Sequence, residues 1–310
     1  MARVFVARTI TGDALERLTA AGHEVDVWSG NLPPHPVELR ERLADADGLL
    51  SMLTERVDQA LLDAAPHLKV IANYAVGFDN IDLHATSRRG IAVGVTPDVL
   101  TDATADLAFA LLLATARRLP EAAAAVRDGR WRTFEPRGWL GASVHGATIA
   151  IVGARGRIGS AVARRARGFD MDIISVNRGD DLHTALARAD FVSLHTPLTP
   201  DTHHLIDAAA LAACKRGAIL VNTGRGQLVD QRALAQALQQ GHLAAAGLDV
   251  TDPEPLPPDD PLLSAPNLIV LPHIGSATHA AREAMAGMAV DNLLAGLAGE
   301  PLPHPAPAAG

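Results

Sequence analysis

Cysteine is almost missing: Cys214 stands alone in 310 residues, which excludes an intramolecular disulfide. In the apolar stretch Leu211–Cys214 a lone thiol reads as a core residue, not a nucleophile. Aromatics make up only 3%, so with 48% hydrophobic residues the core must be aliphatic. No run of like charge exceeds a few positions. The net charge of −8 favours solubility and argues against a nucleic-acid footprint. Long apolar runs are lacking too. Ala108–Ala116 is far too short to span a bilayer, and Met1–Val6 carries no basic leader or cleavage site. The expectations are no membrane or nucleic-acid partner, no metal, and a cytoplasmic location.

What the chain does have is alternation. Its length suits about two domains, each with its own core and with room for a cleft between them. Short β-rich runs at Val4–Ala7, Glu24–Val27, Gly48–Met52, Val70–Asn73 and Ile91–Gly94 are separated by helix-period segments such as Asp13–Ala21 and Asp58–Ala65. A second series has strands at Thr148–Val152, Asp172–Val176, Phe191–Leu194, Ala218–Asn222, Ala244–Leu248 and Leu268–Leu271. That order predicts an α/β protein with two doubly wound parallel sheets. Between the series a long helix starts near Thr101, Pro120 predicts a kink or break, and Trp131–His145 reads as an irregular excursion. Thr278–Ala298 predicts a long helix crossing back to the first domain, and the proline-rich end from Pro301 predicts a loose tail.

After the strand Thr148–Val152 comes Gly153-Ala154-Arg155-Gly156-Arg157-Ile158-Gly159, then a helical pattern. Glycines at such a strand-to-helix turn let the backbone approach a pyrophosphate, held by the free N–H groups of the helix. The spacing has one residue more than G-x-G-x-x-G, as in dihydrodipicolinate reductases, which this turn resembles locally. The next strand ends in Asn177-Arg178, where an NAD-specific site would carry a carboxylate. Arg178 suits a 2′-phosphate, so NADPH is the expected cofactor, with NADH possible if Asp180 or Asp181 turns inward. Arg155 is a candidate second cation.

The last third holds three strings after successive strands: Asn222-Thr223-Gly224-Arg225-Gly226, Gly247-Leu248-Asp249-Val250-Thr251-Asp252-Pro253-Glu254-Pro255, and Pro272-His273-Ile274-Gly275-Ser276-Ala277-Thr278. In a doubly wound sheet such loops converge on the ligand crevice. Reducing a keto acid needs a cation for the carboxylate, a hydride donor and an acid for the developing alkoxide. Arg225 offers a planar fork, His273 an imidazole that can serve as the acid, and Glu254 a partner for its other nitrogen.

These strings, with Asn73-Tyr74-Ala75-Val76-Gly77-Phe78-Asp79-Asn80-Ile81-Asp82 and Leu194-His195-Thr196-Pro197-Leu198-Thr199, resemble the D-isomer-specific 2-hydroxyacid dehydrogenases over residues 45 to 303. Thr96–Ala108 and Gly247–Thr278 look closest to glyoxylate/hydroxypyruvate reductases. The resemblance implies a flavodoxin-like substrate domain (1–99, completed by a helix at 280–303), a Rossmann coenzyme domain (100–279, with a dimerisation arm at 119–146) and a loose tail at 304–310. It implies Arg225, Glu254 and His273 as catalytic residues. Substrate contacts would come from Arg225, the amides of Val76 and Gly77, and Leu53, with Trp139 reaching from the arm toward the active site of a second copy. Gly153, Gly156, Arg157, Ile158, Gly159, Asn177, Arg178, Thr196, Pro197, Thr223, Gly224, Asp249 and Gly275 would lie along the cofactor. The implied partners are a small 2-keto acid and a second copy of the chain. One departure besides the extra turn residue is the short Arg178–Ala189 connection, which predicts that the second sheet loses a strand. Other readings are a dehydrogenase for phosphoglycerate, phosphite or formate, or a non-catalytic dinucleotide sensor like the C-terminal-binding-protein corepressors.

Overall fold

The computed structural model describes residues 1–307, which form two compact units: Met1–Leu100 joined by the chain from Ser276 onward, and Thr101–Gly275. In unit 1 the order is β1 (Arg3–Val6), α1 (Glu16–Ala20), β2 (Glu24–Val27), α2 (Pro36–Leu43), β3 (Gly48–Ser51), α3 (Gln59–Asp63), β4 (Val70–Asn73), α4 (Leu83–Arg88) and β5 (Ala92–Gly94). Unit 2 begins with α5 (Thr101–Ala116) and α6 (Leu119–Arg127). There follow β6 (Thr148–Val152), α7 (Arg157–Arg167), β7 (Asp172–Val176), α8 (Leu182–Arg188), β8 (Phe191–Leu194), α9 (Ala208–Ala213), β9 (Ile219–Asn222), α10 (Gln231–Gln239), β10 (Ala245–Leu248) and β11 (Leu268–Val270). The long helix α11 (His279–Ala298) returns to unit 1 and packs on β3, β4 and β5.

Both sheets are wholly parallel. The first runs β2-β1-β3-β4-β5, the flavodoxin-like order, and the second β11-β10-β9-β8-β6-β7. Strands β3, β4, β8, β9 and β10 are buried at every position, as expected where helices cover both faces. Among the described residues the second sheet has no strand beyond β7, because α8 leads straight into β8; the short connection after Arg178 leaves no length for another strand. Its order reverses between β6 and β8, which puts a ligand crevice at the carboxyl ends of those two strands.

Aspartates start many of the helices. Asp58, Asp82, Asp181, Asp207 and Asp230 each accept the backbone N–H three residues on, covering one of the amides that a helix start leaves unpaired. Helix α7 is different: its N-cap is Gly156, and no side chain caps it.

Two expectations change in detail. The break announced by Pro120 falls at Arg118, whose φ of 54° ends the α5 path; Pro120 sits in the first turn of α6, where its missing N–H costs nothing. The tail is not loose as far as Ala306. The His304 amide donates to Asn292 Oδ1 at 3.0 Å, the Val95 amide to the His304 carbonyl at 2.9 Å, and the Ala306 amide to Val93 at 2.8 Å. Asn292 is fully buried, and Gly94 leaves the space its side chain fills. Residues 308–310 of the expected tail lie outside the described residues. Cys214 is core: its thiol is buried, donates to the Ala210 carbonyl, and is pushed up to about 11 by burial.

Candidate active site

The β6–α7 turn is built by close backbone approaches. A Cβ on Gly153, whose φ is +84°, would stand 2.6 Å from the His195 carbonyl oxygen, and one on Gly159 would stand 2.3 Å from the Gly153 oxygen. Only glycine allows β6, α7 and the end of β8 to meet so closely. The extra residue is absorbed by a turn in which the Gly156 amide donates to the Gly153 carbonyl at 2.9 Å. Arg155, Gly156 and Arg157 are exposed there, while Ile158 packs on the core beneath.

At the end of β7, Asn177 Oδ1 accepts the Arg155 amide at 3.0 Å, tying the inserted residue to the neighbouring strand. Asp180 accepts the Asn177 amide at 2.8 Å, and Asp181 is engaged as the cap of α8, bonding the Thr184 amide and hydroxyl. Those bonds hold the Asp181 carboxyl below its usual range. Arg178 is paired with Asp201 at 2.8 Å.

Beyond β9 the fully buried Asn222 folds the next loop around itself. Its Oδ1 accepts the Gly224 amide at 2.9 Å and its Nδ2 donates to the Arg225 carbonyl at 2.8 Å. Gly226 then allows a contact no other residue would: a Cβ there would lie 1.9 Å from the Thr251 carbonyl oxygen. So the Arg225 loop rests directly on the loop that carries Glu254. Gln231 clasps that second loop through both polar groups of the Asp252 backbone, at 2.5 and 2.7 Å.

Glu254 Oε1 accepts the Thr251 amide at 3.0 Å, and Oε2 faces His273 Nδ1 at 2.9 Å. His273 adopts a left-handed φ of 55°, a conformation that needs outside support. Asp249 supplies it. Its carbonyl accepts the His273 amide at 2.9 Å, and its two carboxylate oxygens accept the Ile274 and Gly275 amides at 2.7 Å each. Burial pushes the Asp249 carboxyl up, opposed by the amide bonds and the nearby imidazole.

Unit 2 thus brings Arg225, Glu254 and His273 onto three adjoining loops at the carboxyl ends of β9, β10 and β11. Leu53, Val76 and Gly77 are in unit 1, in the loops after β3 and β4. Trp139 lies between α6 and β6, with the Arg130 guanidinium 5.7 Å from its ring centroid. The bracing residues Asn222, Gln231 and Asp249 were not singled out as supports by the sequence. Asn222, a polar residue ending an otherwise apolar strand, was the available signal.

The pocket-forming groups fit a dinucleotide. The glycine turn leaves a cradle that a Cβ would fill, the α7 amides carry no side-chain cap, and the Thr223 hydroxyl is buried without a partner in the described structure. Thr196 and Pro197 follow β8 on the other side of the switch point.

The family model for the D-isomer specific 2-hydroxyacid dehydrogenase NAD binding domain matches residues 109–275. The chain belongs to the D-isomer-specific 2-hydroxyacid dehydrogenases. As a member it is an oxidoreductase that uses a nicotinamide dinucleotide. This dehydrogenase is 48% identical to a glyoxylate reductase of Korarchaeum cryptofilum, covering 97% of this chain and 95% of that one. It is 45% identical to a glyoxylate reductase of Thermococcus litoralis over 97% and 96% of the two chains. Among solved structures it matches a Thermus thermophilus protein with a TM-score of 0.93, 51% identity and coverage of 98% and 100%. It also matches an NADPH-dependent glyoxylate/hydroxypyruvate reductase of Sinorhizobium meliloti, crystallised with NADP and malonate, with a TM-score of 0.86, 34% identity and coverage of 98% and 96%.

Proposed function

We propose that this dehydrogenase is an NADPH-preferring glyoxylate/hydroxypyruvate reductase in which Arg225, Glu254 and His273 perform the chemistry. The observation that carries the reading is the His273–Glu254 hydrogen bond at Nδ1, on a loop adjoining that of Arg225. With Nδ1 committed to the carboxylate, Nε2 is the nitrogen left to hold the proton that a substrate oxygen receives.

In the reaction the Arg225 guanidinium receives the substrate carboxylate and the keto oxygen in its fork. The Asn222 and Gly224 bonds hold the backbone of that loop, so little ordering is left for the moment of binding. A bound nicotinamide cofactor would supply the hydride that reduces the keto carbon. As negative charge builds on oxygen, Arg225 stabilises it and His273 Nε2 delivers its proton. The assignment of Val76 and Gly77 to substrate rests on their family positions, that of Leu53 on its loop after β3, and that of Trp139 on an arm reaching toward the site of a second copy.

For the cofactor, Gly153, Gly156, Arg157, Ile158 and Gly159 would hold the pyrophosphate, and Thr196, Pro197, Thr223, Gly224, Asp249 and Gly275 the remainder. Preference for NADPH is supported by Asn177 where a carboxylate would exclude a 2′-phosphate, by Arg178 beside it, and by the local bonds that occupy Asp180 and Asp181. A homodimer formed through residues 119–146 is supported by Trp131, Phe134 and Leu140, which are 64%, 83% and 67% exposed in the single chain.

Steady-state rates with glyoxylate, hydroxypyruvate and pyruvate, each with NADH and NADPH, test the proposal. The expected pattern is turnover of the first two substrates with higher kcat/KM for NADPH. Binding of NADPH without turnover on any of the three would reject it.

A further inference from the structure

Because β6 lies between β7 and β8, the loops that follow those two strands flank the glycine turn on opposite sides. Across that mouth runs the Arg178–Asp201 ion pair, Nη2 to Oδ2 at 2.8 Å. Both ends are anchored. Asn177, next to Arg178, is bonded to the Arg155 amide of the turn. Asp201 sits in a loop closed on itself by Thr202 Oγ1, which donates to the Pro197 carbonyl at 2.7 Å and accepts the Thr199 amide at 2.8 Å. The two side chains are 91% and 72% exposed, so the pair adds little to stability. What it does is occupy a guanidinium beside the adenosine end of the crevice.

We propose that Asp201 is a specificity-determining residue for the cofactor: a counter-ion that competes with the 2′-phosphate for Arg178. The proposal rests on the reading of Arg178 given above. A 2′-phosphate carries close to two negative charges and several acceptor oxygens, so it displaces a single carboxylate from a guanidinium fork. It must still break the pair and tolerate the charge of Asp201 nearby. A cofactor with a free 2′-hydroxyl has nothing to gain from opening the pair and is indifferent to it. Asp201 therefore narrows the gap between NADPH and NADH, which Arg178 alone would make wider.

Calorimetric titration of the full-length enzyme with adenosine 2′,5′-bisphosphate and with AMP isolates the 2′-phosphate from catalysis. Asp201→Asn, which keeps the shape and removes the charge, should tighten the bisphosphate about 2- to 5-fold, the scale of one exposed ion pair. AMP binding should not change. Arg178→Ala should weaken the bisphosphate selectively, and in that background the gain from Asp201→Asn should vanish. If Arg178→Ala is selective but Asp201→Asn leaves the bisphosphate unchanged or weaker, the competition is refuted while the reading of Arg178 stands. If Arg178→Ala has no selective effect, that reading fails and the proposal with it. An equal gain for AMP, or an undiminished gain without Arg178, would also overturn it.

Discussion

At His273 a residue with a side chain, not glycine, holds a left-handed φ, and the surrounding bonds explain how: Asp249 takes its amide and the next two, and Glu254 takes its ring. On the proposed mechanism His273→Ala should lower kcat by roughly 10²–10⁴-fold, the range for losing a general acid. Unchanged turnover at neutral pH would remove the imidazole from the chemistry. Arg225→Lys should raise KM for the keto acid, because a point charge replaces a planar fork; an unaltered KM would mean the carboxylate binds elsewhere. The placement of these three residues on loops after successive strands was legible in the sequence. Their supports were less so, since Asn222, Gln231 and Asp249 act through backbone groups whose positions depend on how the loops pack. Asp249, expected along the cofactor, also shapes the His273 loop through its two carboxylate oxygens.

The strands followed closely from the short β-rich runs and their alternation with helix-period segments. Strand β4 was expected over the residues where it occurs, and β8 likewise. Less legible was the meaning of particular glycines. Gly226 reads as one more small residue in a loop, yet it decides whether the Arg225 and Glu254 loops can touch. Gly226→Ala should cost about 1–3 kcal/mol in stability, as overpacking does, and depress kcat/KM further than that loss explains. Chemical denaturation combined with kinetics checks both; a variant as stable and active as wild type would show that the close approach is dispensable. At the β6–α7 turn, Gly159→Ala would press a methyl group against the Gly153 carbonyl, and NADPH binding followed by fluorescence should weaken sharply while turnover at saturating cofactor falls less.

For the whole molecule, an acid-dependent loss of stability is expected from one half-buried imidazole. His195 Nδ1 is buried without a partner among the described residues, its Nε2 lies 2.8 Å from Ser193 Oγ, and burial lowers its pKa from 6.5 to about 4. An unfolded chain takes up this proton below pH 6.5 while the folded chain stays neutral, so the stability it contributes is present above 6.5 and is lost as pH falls towards 4. The melting temperature should therefore fall between pH 7 and 4.5 less steeply in His195→Gln than in wild type; parallel curves would contradict this. If 119–146 is a dimer arm, Phe134→Asp should weaken association by about 2 kcal/mol, roughly thirtyfold in Kd, measurable as a lower mass in light scattering. By itself the sequence determined the α/β alternation, two parallel sheets and the residue types of the site, because burial periodicity and strand-end position are local properties. Tertiary structure alone decided that Arg178 faces Asp201, that His273 is bent around Asp249, and that the chain end to Ala306 is tied to β5. Those contacts join residues far apart along the chain, and no local pattern records which backbone will come within reach of which side chain.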